Sequence, residues 1–194
     1  MSEDDNDRLH RIINAARRQL ETVGLEGMTI RGMAAESKVS PATLYRRFGS
    51  KDNVIFLVII DNFEQYVDSR RKGTKKSAKP LQNLINLLEV EVASIHSRPS
   101  LVRALLSMYF KQGSDRELPN HLRKMISDRI QEILMEMQEA KLIADWVKPV
   151  LLSVDLSDRV LGITMRWSQK EFRYVELLDR MTFSVLSSLA GFAT

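Results

Sequence analysis

Cysteine is absent from all 194 residues. That removes disulfides, thiolate zinc sites and cysteine nucleophiles, and it is the usage of a reducing compartment, so a cytoplasmic location is expected. Long apolar runs are missing as well. The longest, Val54 to Ile60, falls far short of the roughly 20 residues a bilayer-spanning helix needs. The opening Met1 to Asp7 is acidic and polar, the reverse of a secretory signal, so no membrane partner is expected. No segment alternates apolar and polar residues with a period of two, and no internal repeat or low-complexity tract occurs. The chain has no nucleophile elbow, no H-E-x-x-H, no phosphate loop and no clustered acid–base pair. Its three histidines, His10, His96 and His121, are too scattered for a local metal site. An enzyme is therefore not expected, and neither a metal nor another cofactor is implied.

What is present is helical. Apolar residues make up 44% of the chain, enough to build a core without staples. Leu9, Ile12, Ile13, Ala16, Leu20 and Val23 fall on one helical face, and Gly24 supplies a stop. Two short helices are predicted next, Thr29 to about Ser37 and Ser40 to about Phe48. Each is opened by a hydroxyl residue able to cap free N–H groups, and Pro41 sits at a first helical position. A longer helix follows Ser50 and runs to about Arg71. Further helices are expected near 80–97, 99–111, 115–142, 155–172 and 175–192, with a break over 143–154 around Pro149. The fold class is all-α. The expected division is a head at 1–52, a connecting helix and basic linker at 53–79, and a helical body at 80–194.

The net charge of +4 is unevenly placed. Residues 8–79 hold 15 Lys/Arg against 7 Asp/Glu, whereas residues 80–194 hold 14 of each. The basic character belongs to the head and to the linker Arg70 to Lys79, which reads as a solvated connection.

Two helices of about two turns are marginal alone and must pack on neighbours. Ile30, Met33, Ala34, Val39, Leu44 and Phe48 form an inward-facing set, which leaves Thr43, Arg46 and Arg47 pointing outward. That is the layout of a helix-turn-helix, in which the second helix enters the major groove. Thr29 and Lys51 stand at helix starts, where free N–H groups and the dipole favour phosphate. Arg31, Tyr45 and Arg46 or Arg47 add side-chain donors that would fix the head on the duplex. Ser40, Pro41, Ala42 and Thr43 are small enough for close approach to bases.

The run Thr29, Ile30, Arg31, Ala34, then Val39, Ser40, Thr43, Leu44, Tyr45, Phe48, Ser50, Lys51 resembles the DNA-binding head of the TetR family of bacterial transcriptional regulators. The resemblance covers about 50 residues. It implies a repressor bound to double-stranded operator DNA as a homodimer and released by a small-molecule effector, with an effector pocket between body helices. Family members usually carry Gly at the turn position held here by Lys38, and often His at that of Arg47. Both changes add positive charge near DNA.

Within the body, Arg103, Met108, Met125, Met137, Trp146 and Met165 are the candidate lining of an adaptable, largely apolar effector pocket. The 155–172 helix carries two apolar stripes, so it needs two partners. Together with the resemblance this points to a two-fold interface through Leu156, Val160, Ile163, Trp167, Leu178, Val185 and Leu189. The helix from Lys51 is apolar almost all round over Val54 to Ile60, which places it between head and body as a lever. Two other classes fit an all-helical chain: an enzyme using the body as its active site, and an architectural DNA-binding protein without an effector.

Overall fold

In the computed structural model the described residues are 3–73, 77, 79–97, 99–109 and 117–194. Among them the α-helices are α1 (Glu3–Gly27), α2 (Ile30–Ser37), α3 (Pro41–Phe48), α4 (Lys51–Gly73), α5 (Pro80–Ser97), α6 (Pro99–Tyr109), α7 (Glu117–Glu139), α8 (Pro149–Ser168) and α9 (Leu177–Ala190). A 3-10 turn, Tyr174–Glu176, precedes α9. None of these helices is long and apolar enough to cross a membrane. The all-α expectation holds, and most helix starts fall within two residues of the sequence reading.

Two boundaries differ. Pro149, read as part of a break, is the first residue of α8, six residues before the predicted start; proline at that position has no helical N–H to lose. The last turn of α1 kinks at Gly24 (φ 69°, ψ 177°), a conformation that only glycine adopts readily. Val23, placed on the inward face by its spacing, is consequently 55% exposed, and Met28 beyond the kink is fully buried in its stead. The linker 70–79 and the 99–111 and 115–142 helix ends lie partly outside the described residues.

Buried apolar side chains form two clusters. In the first, Ile12 of α1, Met33 of α2 and Leu44 of α3 meet Val54, Ile55, Phe56, Val58 and Ile60 of α4, and Leu105 of α6 joins them. The first half of α4 is thus part of the head's core, beyond the residue-52 boundary drawn from sequence. Arg17 of α1 also pairs with Asp61 of α4 at 2.5 Å. The second cluster is the body core, built on residues such as Leu84, Leu88, Leu134 and Met181. Half-buried Ile126 of α7 packs against both.

Most residues named for the two-fold interface lie in this core. Leu156, Val160, Trp167, Val185 and Leu189 are buried within the chain itself, and Ile163 and Leu178 pack half-buried against the same cluster. Both stripes of α8 are used internally, because α7, α6 and α9 all lie against that helix. The apolar groups left exposed on α8 and α9 are others, chiefly Leu151 at 65% and Phe183 at 76%.

One acid is caught inside the body. Glu91 of α5 is 6% exposed and faces Arg129 of α7, with 3.6 Å between Oε1 and Nη1. Burial raises its pKa to about 7 and outweighs the opposing pull of Arg129. An unfolded glutamate titrates near 4.5, so the folded protein holds a proton that the unfolded chain has released between these values. The group's contribution to stability is full below pH 4.5 and is lost as pH rises through about 7. Relative to Glu91→Gln, the wild type should lose on the order of 2–3 kcal/mol of unfolding free energy between pH 5 and 8. Denaturant melts of both proteins across that range measure this, and parallel pH profiles would mean that Glu91 is ionised throughout.

Candidate nucleic-acid interface

The head's surface is set by three caps. Thr29 has an extended backbone and its Oγ1 accepts from Gly32 N at 3.0 Å, opening α2. Ser40 opens α3 in the same way, its Oγ accepting from Thr43 N at 3.1 Å. Ser50 Oγ accepts from Asn53 N at 3.1 Å in the first turn of α4. Each cap satisfies one otherwise orphaned N–H and leaves the rest of that turn's donors for an outside acceptor.

Between α2 and α3 the chain turns at Lys38, which is left-handed (φ 57°, ψ 40°). The turn is closed by Lys38 N donating to Ala35 O at 3.4 Å and Val39 N to Ala34 O at 3.1 Å. The glycine-favouring geometry expected of this position is present, and a non-glycine residue there carries a cost of about 1 kcal/mol. Lys38 is exposed, so its ammonium joins the outer surface.

On α3, Leu44 is fully buried while Pro41, Ala42, Tyr45, Arg46 and Arg47 are exposed and Thr43 is half-buried. The Thr43 hydroxyl lies 2.9 Å from Ser40 Oγ, so the two form one polar spot at the start of the helix. The Arg47 guanidinium lies 5.9 Å from the ring centroid of Phe48, at the limit of a cation–π contact. Arg31 on α2 is exposed, and Lys51 is half-exposed at the first position of α4. Small groups on the leading turn, flanked by cations and capped helix starts, can present α3 to a groove and its neighbours to phosphates.

Two positioning residues escaped the sequence reading. Gln19 of α1 accepts from Thr29 N at 3.3 Å and donates to Glu36 at 3.1 Å. It thereby fixes both ends of α2 from one buried amide. Its partners are 10 and 17 residues away, so no local pattern marks it. Asn53 donates through Nδ2 to Phe48 O at 2.8 Å, tying the end of α3 to the first turn of α4. Its place three residues after the Ser50 cap was the available signal.

The sequence profile of bacterial regulatory proteins of the TetR family matches residues 12–58, the span of this geometry. The head, over residues 12–58, is of the TetR family. With that match the protein is a DNA-binding regulator. The HTH-type transcriptional regulator HbdR of Aromatoleum sp. (strain CIB) is 36% identical over 70 residues, which is 34% of this chain and 31% of that protein. The nucleoid occlusion factor SlmA of Photobacterium profundum is 26% identical over 171 residues, covering 86% of this chain and 87% of that one. Among solved structures, the TetR-family repressor FadR of Thermus thermophilus, in complex with lauroyl-CoA, superposes with a TM-score of 0.73 over 92% of this chain and 93% of its own. Its identity of 18% speaks to the fold alone.

Of the six residues named for an effector pocket, those with described side chains fall in several places. Met137 is in the body core, and Met125 is half-buried against the head–α4 cluster. Trp146 is 70% exposed, edge-on to Phe192. Met165 is half-buried on α8, and the side chain of Met108 lies outside the described residues. Arg103 lines a cleft, where it meets Trp167, a residue assigned from sequence to the dimer.

Contacts that position and contacts that specify should separate by mutation. Lys51→Ala should weaken binding to all DNA sequences alike and lower the salt-dependence slope by about one per half-site. Thr43→Val keeps shape and methyl but loses the hydroxyl shared with Ser40, and should relax sequence preference with a smaller change in the slope. Titrations of specific and random duplexes at several salt concentrations read both; preference retained in full by Thr43→Val would exclude a polar base contact from that hydroxyl.

Proposed function

We propose that the protein is a homodimeric transcriptional repressor that holds a palindromic operator and is released by a small-molecule effector. The observation that carries this reading is the double role of α4. Its residues Val54 to Ile60 pack with α1–α3, while Leu105 of α6 sits in the same cluster and Ile126 of α7 joins that cluster to the body core. Asn53 and Asp61 fasten the helix to α3 and α1. A shift of α6 or α7 around a ligand is then transmitted to α4, and through it to the attitude of α3. Coupling of this kind is typically worth about 1–3 kcal/mol.

Two recognition helices must lie about one DNA turn apart, roughly 34–36 Å, to read a palindrome. The surface that supports a two-fold pairing is the outer side of α8 and α9, where Leu151 and Gly162 on one helix and Phe183, Ser187 and Ala190 on the other are exposed. An exposed phenylalanine is an anchor of the kind interfaces use. Phe183→Asp should convert a dimer to monomers in analytical ultracentrifugation and cost the cooperative part of operator binding. A variant that remains dimeric would move the interface elsewhere.

The effector reading is tested by titrating operator DNA with and without saturating lauroyl-CoA, the ligand of the Thermus thermophilus neighbour. Release is expected as a drop in operator affinity of about 5- to 150-fold. The near full-length likeness to a nucleoid occlusion factor favours a second reading, in which DNA binding serves nucleoid occlusion without an effector. In that case operator affinity stays constant at saturating ligand.

A further inference from the structure

A cleft of about 390 Å³ opens between the α5–α6 junction and the segment joining α8 to the 3-10 turn. Its volume is that of a small-molecule site, within the usual range of roughly 300–1,000 Å³, and too confined for a duplex. Three cations line it, Arg103, Lys170 and Arg173, and no carboxylate does. Three like charges in one concavity repel one another, and Glu176, 3.8 Å from the Arg173 side chain, offsets only part of that charge.

The Arg103 side chain and the Lys170 backbone are held in place. The Arg103 guanidinium stands 4.8 Å over the ring of Trp167, which is itself 4% exposed. A guanidinium held face-on to an indole keeps its in-plane N–H groups free for a planar or tetrahedral oxyanion. Lys170 is fixed in the left-handed conformation (φ 65°) by its N–H donating to Trp167 O at 2.9 Å. Of the nearby acids, Glu171 pairs with Arg166 at 2.6 Å. Glu176 accepts from Arg180 at 3.0 Å and from the backbone of Arg173 at 3.1 Å, and lies 3.8 Å from the Arg173 side chain. The opposite wall is aromatic. His96 and Tyr174 stack at 4.4 Å, and the Tyr174 hydroxyl donates to Val92 O at 3.2 Å.

We propose that this cleft binds a small-molecule anion, through a phosphate or carboxylate gripped by Arg103, Lys170 and Arg173 beside an aromatic wall. It deepens the effector reading, since the cleft would receive the charged part of the effector, but binding here is measured without DNA and stands or falls separately. The chain has two tryptophans, so Trp146→Phe leaves Trp167 in the cleft as the sole indole reporter. Titration of this variant with ADP and with laurate distinguishes a phosphate from a carboxylate source. A saturable change in emission with either probe is expected. Arg103→Gln and Lys170→Gln, both at exposed positions, should each raise Kd about tenfold or more while leaving the melting temperature unchanged. No saturable change with either probe at millimolar concentration overturns the proposal, as does binding that survives in the double variant. A fall in operator affinity of the ligand-free double variant would assign these cations to DNA and overturn it too. Binding that leaves operator affinity unaltered supports the cleft and removes the effector reading alone.

Discussion

Burial of the first half of α4 is the constraint on which the rest depends. Val54, Ile55, Phe56, Val58 and Ile60 are each at most 3% exposed, and full burial of such side chains contributes about 1.5–3 kcal/mol apiece. Neither α2 nor α3, at eight residues each, would hold its shape without that surface. The recognition surface is therefore a property of the packed head, and α4 is its floor. Because Leu105 of α6 is sealed into the same cluster, the floor is also the roof of part of the body. A head built this way is not mechanically independent of what happens beneath it.

Polar contacts refine what burial establishes. The Gln19 amide and the Asn53 side chain are single groups that each join two helices. They set the start of α2 and the end of α3 to within a hydrogen bond, the tolerance that reading base edges demands. In the body, polar groups behave differently. Glu91 and Arg129 are buried at a separation too long for a hydrogen bond, and the raised pKa of Glu91 to about 7 records that desolvation outweighs attraction there. That pair spans α5 and α7, so the body carries an electrostatic compromise in its interior while the head is closed by satisfied caps.

The head was legible from the chain because its signals are local. Hydroxyl caps at Thr29, Ser40 and Ser50, the proline at 41 and the apolar spacing through Leu44 all act within a few residues of one another. The unusual residue at the turn was legible for the same reason: Lys38 takes the left-handed geometry that the spacing between α2 and α3 requires. Body helices were found for their periodicity, but what each apolar face packs against was not. Leu156, Val160 and Trp167 read as an interface because a helix with two apolar stripes needs two partners. The chain cannot say whether those partners are its own helices or a second copy, and here they are its own.

What the sequence determined by itself, then, is the all-helical class, the DNA-binding head and most helix starts, since these follow from caps, periodicity and spacing over fewer than about ten residues. Tertiary structure alone decided which apolar stripe of α8 is core, that Trp146 is exposed while Trp167 is buried, and that Arg103 meets Lys170 and Arg173 across nearly 70 residues of chain. The physical reason is the range of the forces. Capping and helix propensity act between near neighbours, whereas burial and the gathering of like charges depend on how distant helices pack, which no local pattern records.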